Sequence, residues 1–176
     1  MSRSELTIRL AGPHWLPGLD ARLDPCAHGD ITLVLGGERV PPQKTEGLCL
    51  SAAAMNLLRS LERDHTREAP VSAHLFPLDG FDWVETGESG LVNITDGPPG
   101  YDMTVRHESD MVVLTTQDGA EARVSAAEWT DVVCAFADEV ERFYEAAEPK
   151  DTAQLDWYEA FWQEWRERRA RATASA

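Results

Sequence analysis

The sequence predicts a single α+β domain over residues 1–171, an antiparallel meander packed with two to three helices and closed by an aromatic C-terminal helix. Three observations carry that prediction. Short alternating stretches separated by Gly, Pro and Asp turns crowd residues 71–124. Apolar residues recur at helical spacing over 51–65, 125–148 and 155–165. No strand–helix–strand rhythm runs through the chain, so antiparallel pairing is favoured over a parallel sheet. A chain of 176 residues can bury one core without covalent staples. Residues 172–176, ATASA, are expected to fray.

Taken in order, residues 5–10 read as a strand. In 30–35, Ile31, Leu33 and Leu35 alternate with Thr32 and Val34 before Gly36-Gly37, a strand entering a tight reversal. The 51–65 stretch carries Ala54, Met55, Leu58 and Leu61 on one face. Ser51 is its expected N-cap, and Arg59, Glu62 and Arg63 form its solvated side. Strands are expected at 71–76, 81–85, 90–94, 101–107, 110–116 and 120–124, with Gln117-Asp118-Gly119 turning the last hairpin. Ser125 and Glu128 then make a capping box, flanked by the apolar pair Val124 and Trp129. Trp129, Val133, Phe136, Val140, Phe143 and Ala147 follow as one stripe, which Pro149 stops. The last helix, beginning at 152–157 and ending near 171, presents Trp157, Tyr158, Phe161, Trp162 and Trp165, a face wider than one seam requires. Arginines crowd its end.

Composition narrows the function. Sixteen Lys and Arg against 31 Asp and Glu leave a net charge of −15, the wrong field for phosphate, so no nucleic-acid partner is expected. A hydrophobic fraction of 43% argues against disorder despite that charge. No apolar run approaches the roughly 20 residues of a membrane span, and the amino terminus has no signal-peptide core. Cys26, Cys49 and Cys134 are odd in number and lack CxxC spacing, so reduced thiols and a cytoplasmic location are expected. The sequon Asn93-Ile94-Thr95 carries no weight without export.

Four features bear on chemistry. Between Arg67 and Arg106 no Lys or Arg occurs, while seven acids do, interleaved with aromatics. Asp79, Asp82, Trp83, Glu85, Glu88, Asp96, Tyr101 and Asp102 are therefore the candidate face for a basic protein partner, against the simpler reading of a solvated acidic surface. Phe161, Trp162, Trp165 and Arg169 are the candidate interaction face of the last helix, against the simpler reading of a core helix. Asp24, Cys26, His28 and Asp30 alternate, so an extended chain turns them one way. Structural metal sites draw on two segments, however, and neither metal nor cofactor is expected. His14, His65, His74 and His107 fall in no HExxH motif, no G-x-S-x-G elbow is present, and the glycine pairs are turn material, so no catalytic residue is assigned.

The run Phe136-Ala137-Asp138-Glu139-Val140-Glu141-Arg142-Phe143-Tyr144, then Pro149-Lys150, then Phe161-Trp162-Gln163-Glu164-Trp165 with Arg168-Arg169, resembles a widespread family of small uncharacterised bacterial proteins. The His28-Gly29 step, the Ala53–Leu61 stretch with Asp64-His65, and Gly100-Tyr101-Asp102 extend the resemblance over most of the chain. It implies no catalytic residues. Small acidic bacterial proteins of this type are often immunity proteins for secreted toxins. A basic set of 14 Arg and two Lys suits a high-GC bacterium. The expected function is a non-enzymatic acidic binding protein, an immunity protein that occludes a basic toxin. The alternatives are a homo-oligomeric scaffold joined through the last helix, and an acid–base enzyme with a pocket lined by His28, His74 and Trp83.

Overall fold

The computed structural model describes residues 6–40, 47–78, 82–86, 92–95, 100–153 and 155–174. Its antiparallel sheets and three helices form the α+β domain that the sequence predicts, with the strands divided into three sheets rather than one.

The first sheet holds β1 (Leu6–His14), β2 (His28–Leu35), β3 (Glu38–Val40) and β4 (Leu48–Cys49). Gly36 and Gly37 join β2 to β3 with φ of 61° and 80°. Positive φ at both central residues is what a two-residue hairpin matching strand twist needs. Both β1 and β2 outrun their predicted bounds: β1 continues past Leu10 through a bulge between Ala11 and His14. The second sheet is the hairpin of β5 (Asp82–Thr86) and β6 (Val92–Thr95). The third is a meander of β7 (Met103–Glu108), β8 (Met111–Thr116) and β9 (Glu121–Ser125), within a residue or two of the predicted strands. The strand expected at 71–76 reduces to one bridge, Phe76 to Tyr101. Gly100 permits that approach, since a Cβ there would stand 2.2 Å from the Phe76 carbonyl oxygen.

Helix α1 (Leu50–Ser60) differs most from its expectation. All eleven of its residues are buried, against β2, α2 (Ala126–Glu145) and α3 (Asp156–Ala174), so it has no solvated side. Its alanines let neighbours approach closely, which suits a helix packed on all sides. The N-cap is Cys49, with no side-chain cap, and Ser51 lies inside the first turn. Arg59 is buried as well. Its guanidinium grips Glu164 of α3 at 2.8 and 2.9 Å and donates to the Val92 carbonyl at 2.6 Å. Glu164 also accepts from Arg168 and from the Val92 amide, so one carboxylate ties α1, α3 and β6.

The capping box behaves as predicted: Ser125 Oγ accepts from the Glu128 amide at 3.1 Å, and Val124 and Trp129 are both buried beside it. Trp129, Val133, Phe136 and Val140 face the core. The helix ends at Glu145, ahead of Pro149, and α3 runs on to Ala174 with Ala172 buried. Among the described residues no helix is long and apolar enough to cross a membrane.

Candidate functional site

The end of α2, the 148–151 connection and the start of α3 enclose a cleft of about 440 Å³. Its walls are aromatic. Tyr144 and Trp162 meet edge to face with centroids 5.0 Å apart, Tyr158 stands 6.2 Å from Trp162, and Trp165 stands 5.2 Å from it. Such packing fixes the rings before anything binds. Glu141, Glu145 and Glu148 rim the cleft. Glu141 is engaged by the Trp165 indole N–H, and Glu148 lies 3.8 Å from Arg22.

Two cations share this neighbourhood and both are engaged. Arg166 pairs with Glu159 at 2.8 Å. Lys150 donates to the Ala21 carbonyl at 2.7 Å, with Nζ 2.9 Å from the centre of the Trp15 ring. Burial pushes the Lys150 pKa down to about 8. The Asp151 amide donates to Arg22 O at 2.8 Å, so the 15–27 loop is tied to the cleft's edge. That loop carries Leu16, Leu19 and Leu23, large apolar side chains that are exposed.

Behind the loop lies a second polar cluster. Tyr144 donates to the Pro25 carbonyl at 2.6 Å, and its oxygen and Ser51 Oγ each accept from the Ala27 amide at 3.1 Å. Burial holds the Tyr144 phenol well above its ordinary pKa, so the donated proton stays in place. Asp24 accepts from the Leu16 and Cys26 amides at 2.7 and 3.1 Å and stands 3.5 Å from His28 Nε2. Burial works to raise its pKa; His28 and the two amides outweigh that and hold it below the usual carboxylate value. Cys49, opposite His28 across the β2–β4 pair, caps α1. Burial acts against its ionisation, but the Cys26 thiol, the Ala52 amide and His28 bring its pKa below the ordinary thiol value. An Asp, a His and a Cys in sequence have the order of a nucleophilic triad. The Cys49 side chain has no solvent exposure, so no substrate reaches its sulfur in this conformation.

His28 and His14 line a cavity of about 560 Å³ at the β1 bulge, and His74 is not among its walls. Instead the His74 carbonyl accepts from Asn56 Nδ2 at 3.0 Å. Asp30, read with Asp24, Cys26 and His28 as one alternating set, lies exposed at the cavity's edge. Among the described residues no group of three His, Cys, Asp or Glu side chains is placed to hold a metal ion.

The residues singled out in the acidic segment separate. Asp79, Glu88 and Asp96 lie outside the described residues. Asp82, Trp83 and Glu85 belong to β5, where Asp82 pairs with Thr95 and Trp83 with Ile94. Tyr101 is buried, 3% exposed, on the Phe76 bridge. Asp102 is turned inward: Oδ1 accepts from His65 Nε2 and from the Leu75 amide, both at 3.0 Å. On α3, Phe161 and Trp165 are core side chains and Arg169 reaches Asp138, while Trp162 is half-buried in the cleft wall. Sequence reasoning missed Glu145, Glu148 and Tyr158. The signal was there in Tyr144-Glu145 and Glu148-Pro149-Lys150, which place acids and a ring at a helix end that the next aromatic helix folds back upon.

No family model, curated protein or solved structure matches the chain.

Proposed function

We propose that the protein is a non-enzymatic binding protein that occludes a basic protein partner, as an immunity protein occludes a toxin, in the cytoplasm. The observation that carries this reading is the α2–α3 cleft: a preformed aromatic hollow rimmed by glutamates, on a chain of net charge −15. A lysine or arginine side chain fits such a hollow twice over, by attraction to the ring faces and to the carboxylates. The surrounding acidity steers a basic partner to it. The leucines of the adjoining loop add apolar contact area at its side. Cys26, Cys49 and Cys134 are thiols outside any disulfide, the first two of them buried, which agrees with a reducing compartment.

The test is capture of partners from the native host on the immobilised protein, at low and high salt, with the double variant E145K/E148K run in parallel. A basic partner that is released as salt rises and bound at least about tenfold more weakly by the variant supports the reading. Partners held equally by both proteins, or insensitive to salt, overturn it. The exposed leucines also favour a second reading, a homo-oligomer joined through the 15–27 loop. In that case sedimentation shows a dimer that Leu19→Ser with Leu23→Ser returns to monomer.

A further inference from the structure

The cavity at the β1 bulge has a geometry that partner docking does not use. Ala11 pairs with Asp30, and a regular ladder would then set Pro13 opposite His28. The bulge adds one residue to β1, so His14 takes that place. Gly12 makes the bulge with φ of 60°, and Gly29 lets the two strands close, since a Cβ there would stand 3.1 Å from the Ala11 and Gly12 carbonyl oxygens. Directly opposed residues project to one face with Cβ atoms about 4.5–5.5 Å apart. The two imidazoles accordingly share the cavity, ring centres 6.3 Å apart and planes tilted by 36°.

His28 is 5% exposed, and neither of its ring nitrogens has a hydrogen-bond partner. Buried polar atoms left so are unfavourable, and a ligand in the cavity offsets that.

We propose that His14 and His28 form a cross-strand pair of imidazole ligands for a first-row divalent transition ion such as Zn²⁺ or Ni²⁺, with water completing its coordination. Each ring has one nitrogen turned toward an acceptor and the other left over. His14 Nδ1 lies 2.9 Å from the Gly12 carbonyl, and His28 Nε2 faces Asp24 at 3.5 Å. That is how metal-binding histidines are oriented, and it assigns His14 Nε2 and His28 Nδ1 as ligands. A metal–nitrogen bond of about 2.0–2.1 Å sets each ring centre about 3.2 Å from the ion, so two rings span at most about 6.4 Å. The observed separation lies inside that limit, and a shift of about 1 Å by the exposed His14 ring gives a tetrahedral angle.

The surroundings supply negative charge and imidazole nitrogen together. Asp30 lines the cavity and Asp24 backs it. Imidazole ligands select borderline transition ions over calcium or magnesium, which seek oxygen.

Untagged protein titrated calorimetrically with ZnCl₂, and separately with NiCl₂, tests the assignment. One equivalent should bind, and H14A and H28Q should each weaken it by at least about tenfold. Asp24→Asn should weaken it by about tenfold, through orientation of His28. H107A, distant from the cavity and paired with Asp64, should leave it unchanged. Because His28 is buried, circular dichroism checks that H28Q folds; if it does not, H14A alone decides, its side chain being exposed. Paramagnetic Co²⁺ should broaden the His14 and His28 ring protons before those of His65 and His107. Lack of binding, or binding that H14A leaves intact, overturns the proposal.

Discussion

His65 and His28 are two imidazoles sunk to nearly the same depth, 2% and 5% exposed, with opposite surroundings. His65 is saturated. Its Nδ1 accepts from the Val71 amide at 3.1 Å, which puts the proton on Nε2, and that N–H donates to Asp102 at 3.0 Å. It stitches the 64–71 turn to β7 through paired backbone bonds with Val105 at 2.8 Å. His28 faces a cavity, has no hydrogen bond of its own, and leans on a carboxylate already occupied by two amides. The lesson is that burial of a titratable group does not by itself mark a site. A saturated group holds chains together; an unsaturated one beside open volume has capacity left for a ligand.

The Glu164 cluster is the extreme saturated case, and the largest effect is expected there. Arg59, Arg168 and the Val92 amide all point at one carboxylate that is 5% exposed. Glu164→Ala leaves the buried Arg59 guanidinium without its counter-ion and Arg168 with Glu62 alone, and should cost about 3–5 kcal/mol in urea unfolding. Burial works to raise the Glu164 pKa, but Arg59 and then Arg168 outweigh it and hold it below the ordinary 4.5. A carboxylate depressed in the folded state contributes stability that is complete above its unfolded pKa and is lost as pH falls through the folded one. Wild type should therefore lose stability below about pH 4.5, and Glu164→Gln should show a shallower acid limb. An unchanged limb would mean that the cluster contributes nothing in ionised form.

The intermediate effect belongs to His65. In His65→Leu the ring volume is roughly kept, while the Val71 amide loses its acceptor and Asp102 one of its donors. A loss of about 1–3 kcal/mol is expected, measured from the urea midpoint at constant m-value. Asp102 makes a further bond to the Leu75 amide, which limits the loss. A loss below the range would show that saturation matters less than the comparison of the two histidines claims.

Much of the fold was legible because the deciding interactions are local. Gly36-Gly37, Gly119 and the Ser125/Glu128 box act within four residues, and the elements they bound fall where expected. Helix α1 was misread for the converse reason. Arg59 looks like a surface residue until Glu164 arrives from 105 positions away. Ser51 looks like a cap until the β2–β4 pair delivers Cys49 to that position and α2 brings Tyr144 to the serine hydroxyl. The candidate site was legible only in part. Trp162 was flagged and lines the cleft, yet the residues that make it concave, Tyr158 and the Glu145–Glu148 turn, acquire meaning only once α3 folds back on α2. The His14–His28 pair was hidden more deeply still, because a one-residue bulge decides which side chain faces His28.

The smallest expected effect completes the contrast. His28→Leu replaces an imidazole that makes no hydrogen bond with an apolar side chain of similar volume. Asp24 keeps both amide donors, so the substitution strands no polar atom and even removes one ring's desolvation. Stability should stay within about 1 kcal/mol of wild type, with a gain as acceptable as a loss. The same exchange at His65 is predicted to cost more, although that ring is no more exposed. Measured side by side in urea, the two leucine variants isolate hydrogen-bond saturation from burial. If His28→Leu proved as costly as His65→Leu, the His28 ring would be acting in the fold, and its cavity would lose its standing as a site.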